Sequence, residues 1–191
     1  TTAPQPDQSP TRGRCGMTAT CHDDCWDGLN MGKANYRAAI EAVKDTVYRT
    51  CLLMDDERWS DWLDLCGDGF YYKITAYSPE IRRDMLYLDG DRSQIAQMCE
   101  LLPKHNTDRS PLKRHAVVYT VDVDDDGKAA QTVTSFVIYQ NMLDGVNSHI
   151  DAGENHLFAV GRYLDSFEIA EDTARFLTRE VRLETRRLDK G

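Results

Sequence analysis

The sequence predicts an α+β fold, with helices in the first half packed on one face of a curled antiparallel sheet built by the second half. Three observations carry this. Apolar residues recur at helical spacing as far as about residue 103, the period then drops to two, and short polar turns separate the alternating segments.

Residues 1–32 read as a polar arm, with Pro4, Pro6 and Pro10 near its start and no sustained apolar period. Such a segment cannot bury enough surface to fold alone, so 33–191 read as the domain. From Lys33, Tyr36, Ala39, Ile40, Val43 and Val47 fall at i, i+3, i+4, i+7 and i+11, which is one helical stripe. Trp59, Trp62, Leu63 and Cys66 predict a second helix, stopped by Gly67 and Gly69. FYYKITAY (70–77) alternates aromatic and β-branched residues and reads as a strand ended by Ser78-Pro79.

A third helix fits 92–103: Asp91 offers an N-cap oxygen, and Ile95, Met98, Cys99 and Leu102 form the stripe. Pro103 and Pro111 bracket a polar loop. VVYTVDV (117–123) and TVTSFVIYQNM (132–142) then flank Asp125-Asp126-Gly127, a hairpin-type turn. HLFAVGRYLDSFEI (156–169) is another long alternating segment.

The segment ARFLTREVRLETRRL (174–188) admits two readings. Arg175, Arg179, Arg182 and Arg186 recur at steps of four, three and four, as on a helix, while Leu177, Val181 and Leu183 recur at even steps, as on a strand. The turn Glu171-Asp172-Thr173, following a strand of similar length, favours a hairpin. As a strand, the segment buries Leu177, Val181 and Leu183 and turns Phe176, Thr178, Glu180, Arg182, Glu184 and Arg186 outward. Outward charges on a long strand blunt an edge or meet another subunit.

Composition narrows the function. The 32 acids outweigh the 23 bases, giving a net charge of −9. A polyanion would be repelled unless the bases were segregated, and Glu180, Glu184 and Asp189 interleave with the terminal arginines. Internal pairing or a protein partner is therefore expected, and no nucleic acid. No run approaches the roughly 20 apolar residues of a membrane span, and the first residues lack the apolar stretch of a signal peptide. Cys51, Cys66 and Cys99 sit in apolar patterns as small hydrophobes. With no disulfide framework in view, a reducing cytoplasm is the expectation.

Three clusters could carry chemistry. Cys15, Cys21, His22 and Cys25 could enclose a metal ion, but their spacing fits no common zinc motif and adjacent Cys21-His22 rarely both ligate. Asp55, Asp56 and Asp61 with His115 could supply a general base in an isomerase or dehydratase. The plainer reading gives the acids to a helix junction and His115 to a hydrogen bond at a strand start. His149 and His156 with Asp144, Asp151 and Glu154 could hold iron, yet no 2-His-1-carboxylate order is evident.

Several stretches together resemble a known family: MDDERWSDWLDL (54–65), YLDGDRSQIAQMCELL (87–102), SPLKRHAVVYTVDV (110–123), TSFVIYQN (134–141), GRYLDSFEI (161–169) and REVRLETRRL (179–188). The chain resembles the small (β) subunit of Rieske non-haem iron ring-hydroxylating oxygenases. The resemblance implies a cone-shaped fold like that of nuclear transport factor. It also implies a non-catalytic, structural chain in an assembly of three large and three small subunits. The large subunit would hold the Rieske [2Fe-2S] cluster and the mononuclear iron, and this chain no cofactor. Under it the charged face of the last hairpin, with Arg162, Glu180, Arg182, Glu184, Arg186 and Arg187, serves subunit contacts. Three positions depart from the family pattern: Tyr119-Thr120 stand where Ser-Asn is common, and Met142 where Arg is common. The arm of 1–32 has no recognised counterpart.

Overall fold

The computed structural model describes residues 24–105, 110–142, 154–171 and 173–184. The chain divides into two units, Thr1–Lys33 and Ala34–Gly191. The described part of the first is the opening of helix α1, and all that follows concerns the second.

Among the described residues, three helices and six strands run in the order α1 (Asp24–Asp55), α2 (Trp59–Leu63), β1 (Cys66–Ser78), β2 (Arg83–Asp91), α3 (Arg92–His105), β3 (Leu112–Val123), β4 (Ala129–Asn141), β5 (Asn155–Ala170) and β6 (Thr173–Leu183). The strands form one open sheet in the order β2-β1-β6-β5-β4-β3. Four of its pairings are antiparallel, but β1 and β6 run parallel, which the expected all-antiparallel sheet did not include. No helix is long and apolar enough to cross a membrane among the described residues.

Helix α1 begins nine residues before Lys33, where its apolar stripe starts. Ala39, Val43 and Val47 are buried, whereas Tyr36 is half exposed. Thr46 locks the helix to the sheet by donating to the carbonyl oxygen of Ala174 at 3.1 Å. The second helix stops at Leu63, and Cys66 opens β1 instead of closing a helical stripe. Gly67 and Gly69 therefore lie inside a strand. A Cβ on Gly67 would stand 2.9 Å from the carboxylate that Glu168 extends from β5 and 3.4 Å from the Phe176 carbonyl oxygen on the neighbouring β6.

The hairpin partner β2 was not legible, because RDMLYLDGD carries no alternation of buried and exposed residues. Five of its first six positions are exposed, as befits an edge strand. At its end Asp91 and Gln94 form a reciprocal cap. The Gln94 amide donates to Asp91 Oδ1 and the Asp91 amide donates to Gln94 Oε1, each at 2.9 Å. Helix α3 continues through Pro103 to His105, two residues past the expected end. Strand β3 starts at Leu112, five residues early, and β4 at Ala129, three residues early.

The last segment is a strand, paired with both β5 and β1. Its faces differ from the simple alternation. The β5–β6 register shifts between Ser166 and Phe167, so that Phe167 opposes Phe176 while Ser166 opposes Thr178. Leu177 is the extra residue, and the bulge flips the parity ahead of it. Phe176, expected to face outward, is consequently buried against Phe70 and Phe167. Leu177, expected inside, is only half-buried.

The core has two parts. One joins α1, α2, α3 and the strands β1, β5 and β6 through Val43, Val47, Trp62, Ile95, Phe70, Phe167 and Phe176. The other, on β4, β5 and β6, centres on Phe136, Tyr163 and Val181. Gly161 admits the close packing of the second. A Cβ there would lie 2.2 Å from the Arg182 carbonyl oxygen and 2.9 Å from Phe136 Cζ. Gly161→Ala is expected to lower stability by about 1–3 kcal/mol through overpacking, read as a fall of several degrees in Tm by circular dichroism. An unchanged Tm would show that the two strands can part to admit a methyl group.

Candidate functional site

The inner face of the sheet, under the helices, is built around one buried ion pair. Arg179 on β6 faces Asp165 on β5 in direct register. Its Nε donates to Oδ1 at 2.8 Å and its Nη2 to Oδ2 at 2.7 Å, with side-chain exposures of 2% and 0%. The guanidinium is also sandwiched, 4.3 Å from the ring centroids of both Tyr163 and Phe176. Tyr163 in turn stacks on Phe136 at 4.2 Å. The planar fork of arginine suits both contacts at once.

Burial pushes the Asp165 carboxyl up while the guanidinium beside it pulls it back. Burial disfavours the Arg179 charge, yet the carboxylate at hydrogen-bond distance outweighs this and holds Arg179 firmly protonated. Burial also raises Tyr72 and Tyr163, and pushes the Cys66 thiol up to about 12. Cys51 and Cys99 shift the same way for the same reason. These thiols are buried hydrophobes rather than nucleophiles.

The residues proposed for general-base chemistry do not converge. Asp55 closes the C-terminal end of α1 and accepts from Arg114: Nη1 donates at 2.6 Å, and the backbone amide at 3.0 Å to the other carboxylate oxygen. Both side chains are only 8% exposed, so this is a strut between helix and edge strand. Asp61 is exposed and accepts from Arg58 Nε at 2.6 Å. His115 follows Arg114 and so points to the opposite face, where its ring meets Tyr139 edge-on at 5.7 Å.

Of the metal candidates, Cys15, Cys21 and His22 lie outside the described residues, and Cys25 falls in the first turn of α1. His149, Asp144 and Asp151 also lie outside them, while His156 and Glu154 form an exposed pair at 3.3 Å. Among the described residues no three His, Cys, Asp or Glu side chains gather as a metal site.

The open face of the sheet carries the charged ladder. Lys73 Nζ meets Glu180 at 2.7 Å, Arg182 Nε meets the same carboxylate at 3.0 Å, and Arg162 pairs with Glu184 at 3.3 Å. Arg182 also approaches Asp84 at 3.5 Å. Arg186 and Arg187 lie outside the described residues. A shallow hollow of about 530 Å³ crosses this face, lined by Tyr71, Lys73, Gln131, Ser166, Thr178 and Glu180. The sequence reading missed Arg179 and Asp165. Strand parity held the signal, since Arg179 shares a face with Val181, and Asp165 with Tyr163 and Phe167.

Residues 35–180 match the model of the SnoaL-like domain. The chain is a member of that family. This SnoaL-like domain is 54% identical over 164 residues to the methanesulfonate monooxygenase hydroxylase β subunit of Methylosulfonomonas methylovora, covering 86% of this chain and 90% of the relative. It is 28% identical over 152 residues to the β subunit of 2-aminobenzenesulfonate 2,3-dioxygenase from an Alcaligenes species, covering 78% and 94%. Among solved structures, a Novosphingobium aromaticivorans protein assigned as the β subunit of an aromatic-ring-hydroxylating dioxygenase superposes with a TM-score of 0.61. At 22% identity, over 77% of this chain and 90% of that one, it shares the fold. The resemblance to oxygenase β subunits seen in the sequence is thereby shown.

Two stability outcomes follow from the site. Arg179→Met alone should cost about 3–5 kcal/mol, because it strands a buried carboxylate, and adding Asp165→Leu should recover much of that loss. Urea denaturation checks both. A double variant no more stable than the single would mean that the arginine's ring contacts, not its charge partner, govern the site. On the open face, burial alone would raise Glu180, but hydrogen bonds from Lys73 and Arg182 hold its carboxyl below the ordinary 4.5. Its folded value is thus depressed, so its contribution is present above pH 4.5 and lost as pH falls through the folded value. Glu180→Gln should cost about 1 kcal/mol at pH 7 and nothing below the folded value. A cost independent of pH would contradict this.

Proposed function

We propose that this chain is the structural β subunit of a sulfonate-oxidising multicomponent oxygenase of the methanesulfonate monooxygenase type. One observation carries the reading: 54% identity, over 86% of this chain and 90% of the relative, to a methanesulfonate monooxygenase hydroxylase β subunit. The stretch 72–106 holds the resemblance most continuously in the sequence itself. In this reading a large partner subunit holds the Rieske cluster and the mononuclear iron, and handles oxygen and electrons. This chain contributes no cofactor and no reacting group, and three copies assemble with three large subunits.

The interior supports a supporting role. At its centre, where a cone-fold enzyme would place a free acid, Asp165 is spent on Arg179, and aromatic rings fill the space on either side. Asp55 is likewise paired, and Asp61 and His115 lie apart on the surface.

The isolated chain should bind no stoichiometric iron by elemental analysis and consume no oxygen. Co-expressed with the large subunit, it should purify with it, and native mass spectrometry should report equal copies of the two. Asp61→Asn should leave the turnover of the assembled oxygenase unchanged. Stoichiometric iron in the isolated chain, or turnover of a small molecule by it alone, would overturn the reading.

A further inference from the structure

The dipeptide Asp-Gly occurs five times, at Asp27, Asp68, Asp89, Asp126 and Asp144. Its intrinsic chemistry is the same at each. The glycine nitrogen can close on the aspartate side-chain carbon to form a succinimide ring, because glycine has no Cβ to crowd the attack. What differs is how closely the fold lets that nitrogen and that carbon approach. Asp144 lies outside the described residues, and Asp27 stands within helix α1. Asp89 and Gly90 are held in the β1–β2 ladder, opposite Lys73 and Tyr72. The Asp89 carboxylate also accepts from the Tyr71 hydroxyl, and a Cβ on Gly90 would stand 3.1 Å from Gln94 Cβ. Asp68 and Gly69 are exposed, but they lie in strand β1 between Gly67 and Phe70, which are buried.

Among the described residues, Asp126-Gly127 alone occupies a turn, the one between β3 and β4. Asp126 is exposed, and a Cβ on Gly127 would meet nothing within 4 Å. Gly127 has a φ of 69°, the left-handed conformation that glycine adopts freely. The Lys128 amide donates to Asp126 Oδ1 at 3.0 Å, which folds the carboxyl back along the chain toward the Gly127 nitrogen. That nitrogen donates to the Asp124 carbonyl oxygen at 2.9 Å. The hairpin closes one step beyond, where the Asp124 amide donates to the Ala129 carbonyl oxygen at 3.0 Å. The turn bond can therefore open without unzipping the strands.

We propose that Asp126-Gly127 is a site of spontaneous covalent modification, at which the folded chain converts aspartate to isoaspartate. The Gly127 nitrogen attacks Cγ of the protonated Asp126 carboxyl, and the amide proton and the carboxyl hydroxyl leave together as water. Water then opens the succinimide. Cleavage between the nitrogen and Cγ restores aspartate. Cleavage between the nitrogen and the backbone carbonyl carbon frees the α-carboxylate and routes the main chain through Cβ and Cγ. One water leaves and one returns, so mass is unchanged and nothing is oxidised or reduced. The isomer adds one carbon to the main chain in the turn that sets the register of β3 against β4.

The test ages the full-length chain at pH 7 and about 37 °C for about four weeks. Its peptides are then labelled by an isoaspartyl O-methyltransferase with a radioactive methyl donor. The peptide holding Asp126 should carry about tenfold more label than those holding Asp68 or Asp89. Aged in urea, the three should label alike, since glycine follows each, which assigns the difference to the fold. Asp126→Glu, whose attack would need a larger ring, should carry no label there while circular dichroism stays that of the parent. Asp126→Asn should convert faster than the parent, read as the mass gain of one deamidation, because ammonia leaves from a neutral amide. Label at Asp89 equal to that at Asp126 in the folded chain, or an Asp126→Asn chain still intact after the same period, would overturn the proposal.

Discussion

The buried pair of Arg179 and Asp165 is the constraint around which the domain is organised. Two full charges lie out of water between the central strands β5 and β6, an arrangement tolerable only because the fork of hydrogen bonds is complete. Its geometry then dictates the neighbourhood. Tyr163 and Phe176 must flank the guanidinium, Phe136 must stack behind Tyr163, and the β5–β6 register cannot slip by a residue without separating the charges. A polar lock of this kind adds little net stability over a well-packed apolar substitute. What it does is make alternative registers costly.

Arginine plays the same role twice more in graded settings. Arg114 ties the end of α1 to the edge strand β3 through a carboxylate that is nearly buried. On the open face, Arg162 and Arg182 pair with Glu184, Glu180 and Asp84 in contact with water, where each bond contributes far less. Among the described residues, Arg179 is thus an interior lock and Arg162 and Arg182 belong to the surface ladder. This fits the structural role proposed above.

Much of the architecture could be read from local pattern. The three helices followed from apolar spacing and the Asp91 cap, and the four later strands from alternation, although their ends were placed up to five residues short. The strand β2 could not be read, because an edge exposed on both sides has no buried face to impose a period. The orientation of the last strand was half legible. Even spacing of Val181 and Leu183 implied a strand, but the bulge at Leu177 that turns Phe176 inward exists only because β6 is paired to β5 on one side and β1 on the other. Gly67 and Gly69 looked like helix stops and instead lie inside β1, where only Gly67 stands close to a neighbouring strand.

The sequence by itself determined the class of fold, the kinship with oxygenase β subunits and the absence of a recognisable reaction motif. These depend on residue order and local period, which short-range sterics and burial translate directly. Only the tertiary structure decided where the charges go. Whether Arg179 faces water or the core, whether Asp55 is a base or a strut, and which edges stay free depend on pairings between residues far apart in the chain. Spacing along the sequence is silent about those, because the energy of a charge is set by what the folded chain brings beside it.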